Sequence, residues 1–446
     1  MQILDVREAG QTQAGGKGTQ RKQNGAHQRP LSQTEDVGGK PHNLSLYRGG
    51  AGEAQRRDGK RQTPACLHVA ESPHNGALRM VHSVSPFPHS PGAIQIPNGH
   101  TRRSTMQAAI SAEAPLNPGI VFEMLNAHQR TAALKAAIEL DVFRAVGEGP
   151  GDVASIARHC AASERGIRIL CDFLVIQGVL AKDDGRYKHT PSSAAFLDPR
   201  SPACLASIAQ FLGNPANRVP FDQLADVVRT GRTTLEGAGN VEPENPIWVQ
   251  FAETMAPMMA PMAAPLGKVV LDGHNGPMRV LDIAAGHGLF GIEIAKQNPQ
   301  AHVTGLDWAP VLRVALRNAE RAGVHGRYDM LPGSAFDVNF GGPYDAVLLT
   351  NFLHHFDKPT CTGLLKKIRA ALKPGGRAAT LEFVPNEDRV SPPMPAAFAM
   401  MMLAATPAGD AYTFSDLSQM YAEAGFGDVK AHPIPMSPHT VVMGRA

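Results

Sequence analysis

Apolar positions divide this 446-residue chain into stretches of different rhythm. Up to about Thr105 no apolar period lasts beyond a few residues, Tyr47 and Phe87 are the only aromatics, and Gly, Gln, His, Pro and Arg dominate. Such a segment buries too little to offset its ordering entropy, so residues 1–105 read as a disordered basic leader. An equal alternative is a functional protein that begins at Met106. From Pro118 to about Leu212, apolar residues fall at helical spacing in VFEMLNAHQRTAALKAAIELDVFRAV, DVASIARHC and ERGIRILCDFLVIQGVL. LAKDDGRYKHTP follows, with Asp184-Gly185 between two short extended pieces, as a tight hairpin requires. Helix, turn, helix and hairpin is the order of a winged helix, assigned here to residues 115–212. Its second helix, Glu164 to Gly178, carries Arg165 and Arg168. Ile167, Ile169, Leu170, Phe173, Leu174 and Val175 make it suit packing against another chain better than a DNA groove.

A helical connector is expected over 213–277, and a different alternation begins at Arg279. RVLDIA, LFGIEIAKQ, AHVTGLD, VLRVALRNAERAG, YDAVLLTNF, TGLLKKIRAALK and RAATLEFV alternate strand with helix. That order predicts an α/β domain over 278–446, with a mostly parallel, Rossmann-like sheet covered on both faces. A helix over Phe414–Ala424, stopped by Gly425, and two short extended pieces near Val429–Ile434 and Thr440–Gly444 close the chain.

Charge changes the picture only in the leader, which holds 14 basic against 7 acidic side chains while the remainder holds 29 against 33. Its charges are diluted among Gly and Pro, so no nucleic-acid partner is expected. The most apolar window, Met255–Leu271, is interrupted by Pro257, Pro261, Pro265 and Lys268, and the leader lacks the apolar core of a secretory signal. Neither a membrane partner nor export is expected. Cys66, Cys160, Cys171, Cys204 and Cys361 are scattered and suggest neither zinc nor a disulfide framework, which fits a reduced cytoplasm.

Val280 to Ala295 reads VLDIAAGHGLFGIEIA, in which Gly286, Gly288 and Gly291 form Gly-x-Gly-x-x-Gly. Glycines between a strand and a helix let backbone approach a ligand, and two ligands are open: a dinucleotide or S-adenosylmethionine. Asp307, ending the next strand, would hold ribose hydroxyls in either case. Asp282 discriminates, because a carboxylate at the strand's end repels a pyrophosphate and attracts the cationic amino and sulfonium groups of the methyl donor. A nicotinamide-dependent oxidoreductase is thus the rival enzyme, and a ligand-sensing winged-helix regulator the rival outside catalysis.

The ordered set VLDIAAGHG, GLDW, GSAFD, LLTNFLHHF, LKPGGR and LEFVP resembles class I S-adenosylmethionine-dependent methyltransferases. The nearest likeness is to the O-methyltransferases typified by the caffeate and acetylserotonin enzymes. AALKAAIELDVFRAV, RILCDFLVIQGVL and RYKHTP resemble that family's N-terminal winged-helix dimerisation domain, so the likeness spans roughly residues 115–446 and implies a homodimer. It implies that Gly286 and Gly288 face the methionine portion of the donor and Asp307 its ribose. Ser334, Ala335 and Thr350 would surround the adenine and sulfonium, and Trp308 would cover an adenine face. Ala284 stands where the family has its first glycine, and Ser334 where it often has a carboxylate against the adenine amino group. A hydroxyl can still accept that bond.

Methyl transfer to a hydroxyl needs an in-line approach and a base for the proton. His354, running off the carboxyl end of a strand and followed by Cys361 at the family's spacing, is the implied base; His355 does not fit that spacing. Glu382 is the implied acid that orients His354. The family's second orienting acid falls on Ala411, with only Asp410 nearby. AETMAPMMAPMAAP and AFAMMMLAA should form a pliable acceptor pocket. The expected reaction is methylation, without a metal, of a hydroxyl on a small aromatic or polyketide-like molecule, with N- or C-methylation as the alternative.

Overall fold

The computed structural model describes residues 116–446, so the expectations for residues 1–105 lie outside it. The first helical pattern forms two helices, Gly119–Glu139 and Val142–Glu148, because Asp141 between them takes a φ of 59°, which breaks the α-helical path. Asp152 and Ser163 cap the next two, Val153–His159 and Glu164–Ile176, by accepting from Ser155 N (2.9 Å) and Gly166 N (3.1 Å). Strands β1 (Leu180–Asp183) and β2 (Arg186–His189) form the wing, and Asp184 and Gly185 at its tip both have positive φ, as a two-residue hairpin of this twist demands. Ile167, Cys171 and Leu174 bury against Phe143, Ile156, Leu180 and Tyr187. Part of the apolar surface expected to meet another chain therefore fills the domain's own core, while Ile169 and Ile176 stay exposed.

The large sheet comprises β3 (Met278–Ile283), β4 (Ala301–Asp307), β5 (Tyr328–Pro332), β6 (Tyr344–Thr350), β7 (Leu372–Phe383), β8 (Gly427–Pro433) and β9 (His439–Arg445). Its order is β5-β4-β3-β6-β7-β9-β8, parallel except for β9, which runs antiparallel to both neighbours. Successive residues of a strand point to opposite faces. Val280, Leu348, Ala379 and Val441 enter one core, and Leu281, Val347, Ala378 and Val442 the other. Burial on both sides makes these strands read as continuous apolar runs. The pattern does not announce β5, since YDMLP is a short edge strand with Asp329 and Met330 outside.

The helix Ala256–Leu271 forms despite Pro257, Pro261 and Pro265. Spaced four apart, the prolines keep their missing donors toward one side, while Met259, Met262, Ala263 and Leu266 bury. Among the described residues no helix is long and apolar enough to cross a membrane. Strand β3 pairs with β4 on one side and β6 on the other, so the strand order reverses there and opens a crevice at the carboxyl ends.

Candidate active site

Residues 284–288 connect β3 to the helix Leu289–Gln297, and Ala284, Gly286 and Gly288 all have positive φ (54°, 57° and 75°). At Gly288 a Cβ would sit 2.8 Å from Ala315 Cβ and 3.0 Å from the Tyr328 hydroxyl, so close packing as well as conformation excludes a side chain. At Gly286 a Cβ would meet nothing closer than 3.8 Å among the described residues, so there conformation alone favours glycine. Ala284 holds the same left-handed region with a Cβ, at a cost of roughly 1–2 kcal/mol.

Asp307 ties this loop to the end of β4. Its Oδ2 accepts from Gly286 N (2.9 Å) and its Oδ1 from Trp308 N (2.7 Å). Burial pushes its carboxyl up to about 6, with the two backbone N–H groups opposing. Each oxygen retains a lone pair for a further donor.

Asp282 departs from the sequence expectation. It is wholly buried behind the loop and absent from the cavity lining; Oδ2 accepts from Gly291 N (3.1 Å) and Oδ1 has no partner among the described residues. Burial, and secondarily Asp307, push its carboxyl up to about 8. Asp282 therefore braces the helix start from behind the loop, where the sequence expectation had it facing a ligand. At Gly291 a Cβ would lie 2.9 Å from Asp282 Oδ2, which explains the third glycine of the motif.

A cavity of about 820 Å3 opens at the crevice. Gly286, Asp307, Trp308, Ser334, Ala335, Thr350 and His354 line it together; Asp282, Gly288 and Glu382 do not. Met255, Met258, Met259, Met401 and Met402 from the two methionine-rich stretches line it too. Phe398, from the second of these stretches, lines it as well, as do Trp248 and Phe251 from outside any quoted stretch and Phe336, Asn351 and Phe383, which lie in quoted motifs without having been named as site residues. Phe352 and Phe383 lay inside quoted motifs, but aromatic residues beside a buried strand look like ordinary core until the fold is known.

His354 sits in the turn Leu353–His355 after β6, and Glu382 near the end of adjacent β7. Glu382 Oε1 accepts from Phe352 N (3.1 Å) and Leu353 N (2.9 Å), while Oε2 is hydrogen-bonded to His354 Nδ1. Both side chains are buried, at 5% and 3% exposure. His354 Nε2 has no partner among the described residues and belongs to a ring that lines the cavity. The Cys361 thiol buttresses the same turn by donating to Leu353 O (3.2 Å). His355 bonds Phe352 O through Nδ1 (3.2 Å), and burial, then His354, hold it well below the usual imidazole range. Asp410 does not serve as a second orienting acid. Its N–H donates to His354 O (3.0 Å), but its carboxylate turns to Arg389 (3.2 Å) and Ala411 N (2.8 Å).

Residues 246–427 match the model of an O-methyltransferase domain, and residues 122–199 that of an O-methyltransferase dimerisation domain. A crystal structure of a protein from Nostoc punctiforme assigned as an O-methyltransferase is 45% identical, covers 74% of this chain and 100% of its own, and superposes with a TM-score of 0.72. The chain belongs to the O-methyltransferase family. The 3-hydroxy-5-methyl-1-naphthoate 3-O-methyltransferase of Streptomyces sahachiroi is 27% identical over 316 residues, 70% of this chain and 90% of that enzyme. Human N-acetylserotonin methyltransferase in complex with S-adenosylmethionine shares the fold at a TM-score of 0.65 and 24% identity, covering 75% of this chain and 99% of that one. S-adenosylmethionine is the methyl donor of this O-methyltransferase, and its relatives include enzymes named for aromatic and polyketide substrates. The nicotinamide and DNA-reading alternatives find no support among these relatives.

Proposed function

We propose that His354 is the general base for methylation of a hydroxyl on a flat, mostly apolar small molecule held in the cavity, and that Glu382 fixes its orientation. The observation that carries this reading is the division of labour on one ring: Nδ1 is committed to a buried carboxylate and Nε2 is left for the cavity. With Nδ1 donating to Glu382, Nε2 is the lone-pair nitrogen that can take the hydroxyl proton, and the carboxylate stabilises the imidazolium that results. The relative from Streptomyces sahachiroi acts on a hydroxynaphthoate, a ring system of the flat kind this cavity would admit.

The residues near the glycine loop fit the donor. Asp307, with lone pairs remaining after its two backbone bonds, would accept from ribose hydroxyls. Gly286 leaves open backbone for the methionine portion, and Trp308, Ser334, Ala335 and Thr350 would enclose the adenine and sulfonium. When bound, S-adenosylmethionine supplies an electrophilic methyl group. A second copy of this chain is the proposed partner, through the dimerisation domain.

Two variants test the assignment. His354→Ala should lower kcat about 10²- to 10⁴-fold while S-adenosylhomocysteine affinity stays within about threefold. Glu382→Gln should also lose turnover, because an amide N–H facing Nδ1 forces the ring proton onto Nε2. Methylation measured by mass spectrometry across a phenol and naphthol panel, with calorimetry for the nucleoside, reads both effects; full turnover in His354→Ala removes the base assignment.

A further inference from the structure

The Asn351 amide has two differently occupied ends. Strand β6 stops at Thr350, and Asn351 turns the chain with a φ of 53°, a region that Asn enters more readily than most residues. That explains an Asn in the turn but not what its amide touches. Oδ1 is 3.0 Å from His439 Nε2. Nδ2 finds no oxygen among the described residues, and its contact is Met259 Sδ at 3.8 Å, a weak acceptor. Asn351 and Met259 both line the cavity.

His439 fixes which end of the amide faces inward. Only 2% exposed, it has its Nδ1 3.2 Å from Ser437 Oγ, and Ser437 Oγ also lies 3.1 Å from Met262 Sδ. An imidazole nitrogen is a far better acceptor than a thioether, so the Ser437 hydroxyl donates to Nδ1, which accepts. Nε2 then carries the ring proton and donates to Asn351 Oδ1. Burial pushes His439 down to about 4, which keeps this single-proton form. The Asn351 N–H2 group is left for the cavity.

Base and amide share one wall. His354 follows Asn351 by three residues, its ring meets Phe398 edge-on at 4.9 Å, Phe398 stacks on Phe383 at 4.2 Å, and Phe383 packs on His439 at 4.0 Å. Phe383 and Phe398 give a flat molecule an aromatic wall in the same cavity as both polar groups.

We infer that Asn351 is a specificity-determining residue whose Nδ2 donates to a carbonyl or ester oxygen carried next to the hydroxyl that is methylated. His439, backed by Ser437, is the positioning residue for that amide. The acceptor class is then hydroxyaryl carbonyl compounds, in preference to simple phenols. This deepens the proposed role of His354 and rests on it.

Calorimetric titration of the full chain saturated with S-adenosylhomocysteine tests it, with methyl 3-hydroxy-2-naphthoate and 2-naphthol as probes. The ester should bind about tenfold tighter than the naphthol, the order expected of one buried hydrogen bond. Asn351→Asp and Asn351→Gly both tolerate the backbone conformation, and each should bring that ratio to within about threefold. His439→Leu should collapse the ratio as well, and His439→Gln, whose amide N–H can replace the imidazole donor, should restore it. Equal affinities in the wild type, no binding of the ester, or a ratio indifferent to these substitutions overturns the inference. A wild type that binds both probes equally but methylates 2-naphthol through His354 leaves the proposed function standing and removes only this specificity. A wild type that binds no S-adenosylhomocysteine removes both.

Discussion

Asp282 puts an ionisable group where water cannot reach it, and its pH dependence follows from that. Its folded-state value of about 8 lies above the ordinary 3.8, so the folded protein holds this proton more tightly than the unfolded chain does. The stability it contributes is full below about pH 4 and drains away as pH rises toward 8. Asp282→Asn keeps an acceptor for Gly291 N–H and cannot ionise. Between pH 5 and pH 9 the wild type should lose roughly 5 °C or more in Tm relative to the variant, read by calorimetric melting; parallel curves contradict this. The same residue marks a limit of sequence reading. Its position near the end of a strand was legible, but the direction of its side chain depends on which strand residues face the core. His354, Glu382 and Asp307 stood out in the sequence because each lies at or just beyond the carboxyl end of a strand, Asp307 and His354 on the crevice and Glu382 behind His354. Asn351 was not, because its significance lies in His439, 88 residues away on another strand.

At the level of elements, the glycine loop carries one local cost that can be removed. Ala284 occupies the left-handed region that Gly286 and Gly288 occupy freely, so Ala284→Gly relieves strain in the folded state and adds entropy to the unfolded one. Relief should win by about 0.5–1 kcal/mol, and S-adenosylhomocysteine affinity should not fall. Gly288→Ala should cost more than Gly286→Ala, because only the former drives a Cβ into Ala315 and Tyr328. Urea unfolding of the three variants gives the order, and a Gly286→Ala penalty equal to or above that of Gly288→Ala contradicts the packing account. The alternation of strand and helix from Arg279 onward was readable because each buried strand is a continuous apolar run and each helix keeps a polar face. Strand β5 escaped because an edge strand needs only half of that pattern. The break at Asp141 escaped because apolar spacing continues across it and only the backbone turns.

For the whole molecule, the first helix poses the question. Ile120 and Phe122 are 62% exposed and Met124 75%, and Val121 and Leu125 are also open, so the start of Gly119–Glu139 shows apolar side chains on every side. A patch of this kind, beginning beside the dimerisation-domain match at residues 122–199, is costly to leave in water. A second copy of the chain is the partner that costs no new sequence, since a two-fold interface uses the same patch on both copies. Sedimentation velocity should therefore give twice the 47.5 kDa chain mass. Phe122→Asp combined with Leu125→Asp should shift the protein to a single-chain mass. Charges buried on both copies at once oppose association twice, whereas in the monomer both positions are solvated and the fold loses little. S-adenosylhomocysteine affinity offers the second reading, because Asp307 and the glycine loop take no part in this patch. A double variant that remains dimeric would place the dimer contact elsewhere, and a wild type that sediments as one chain would leave the exposed helix without a partner in its own kind.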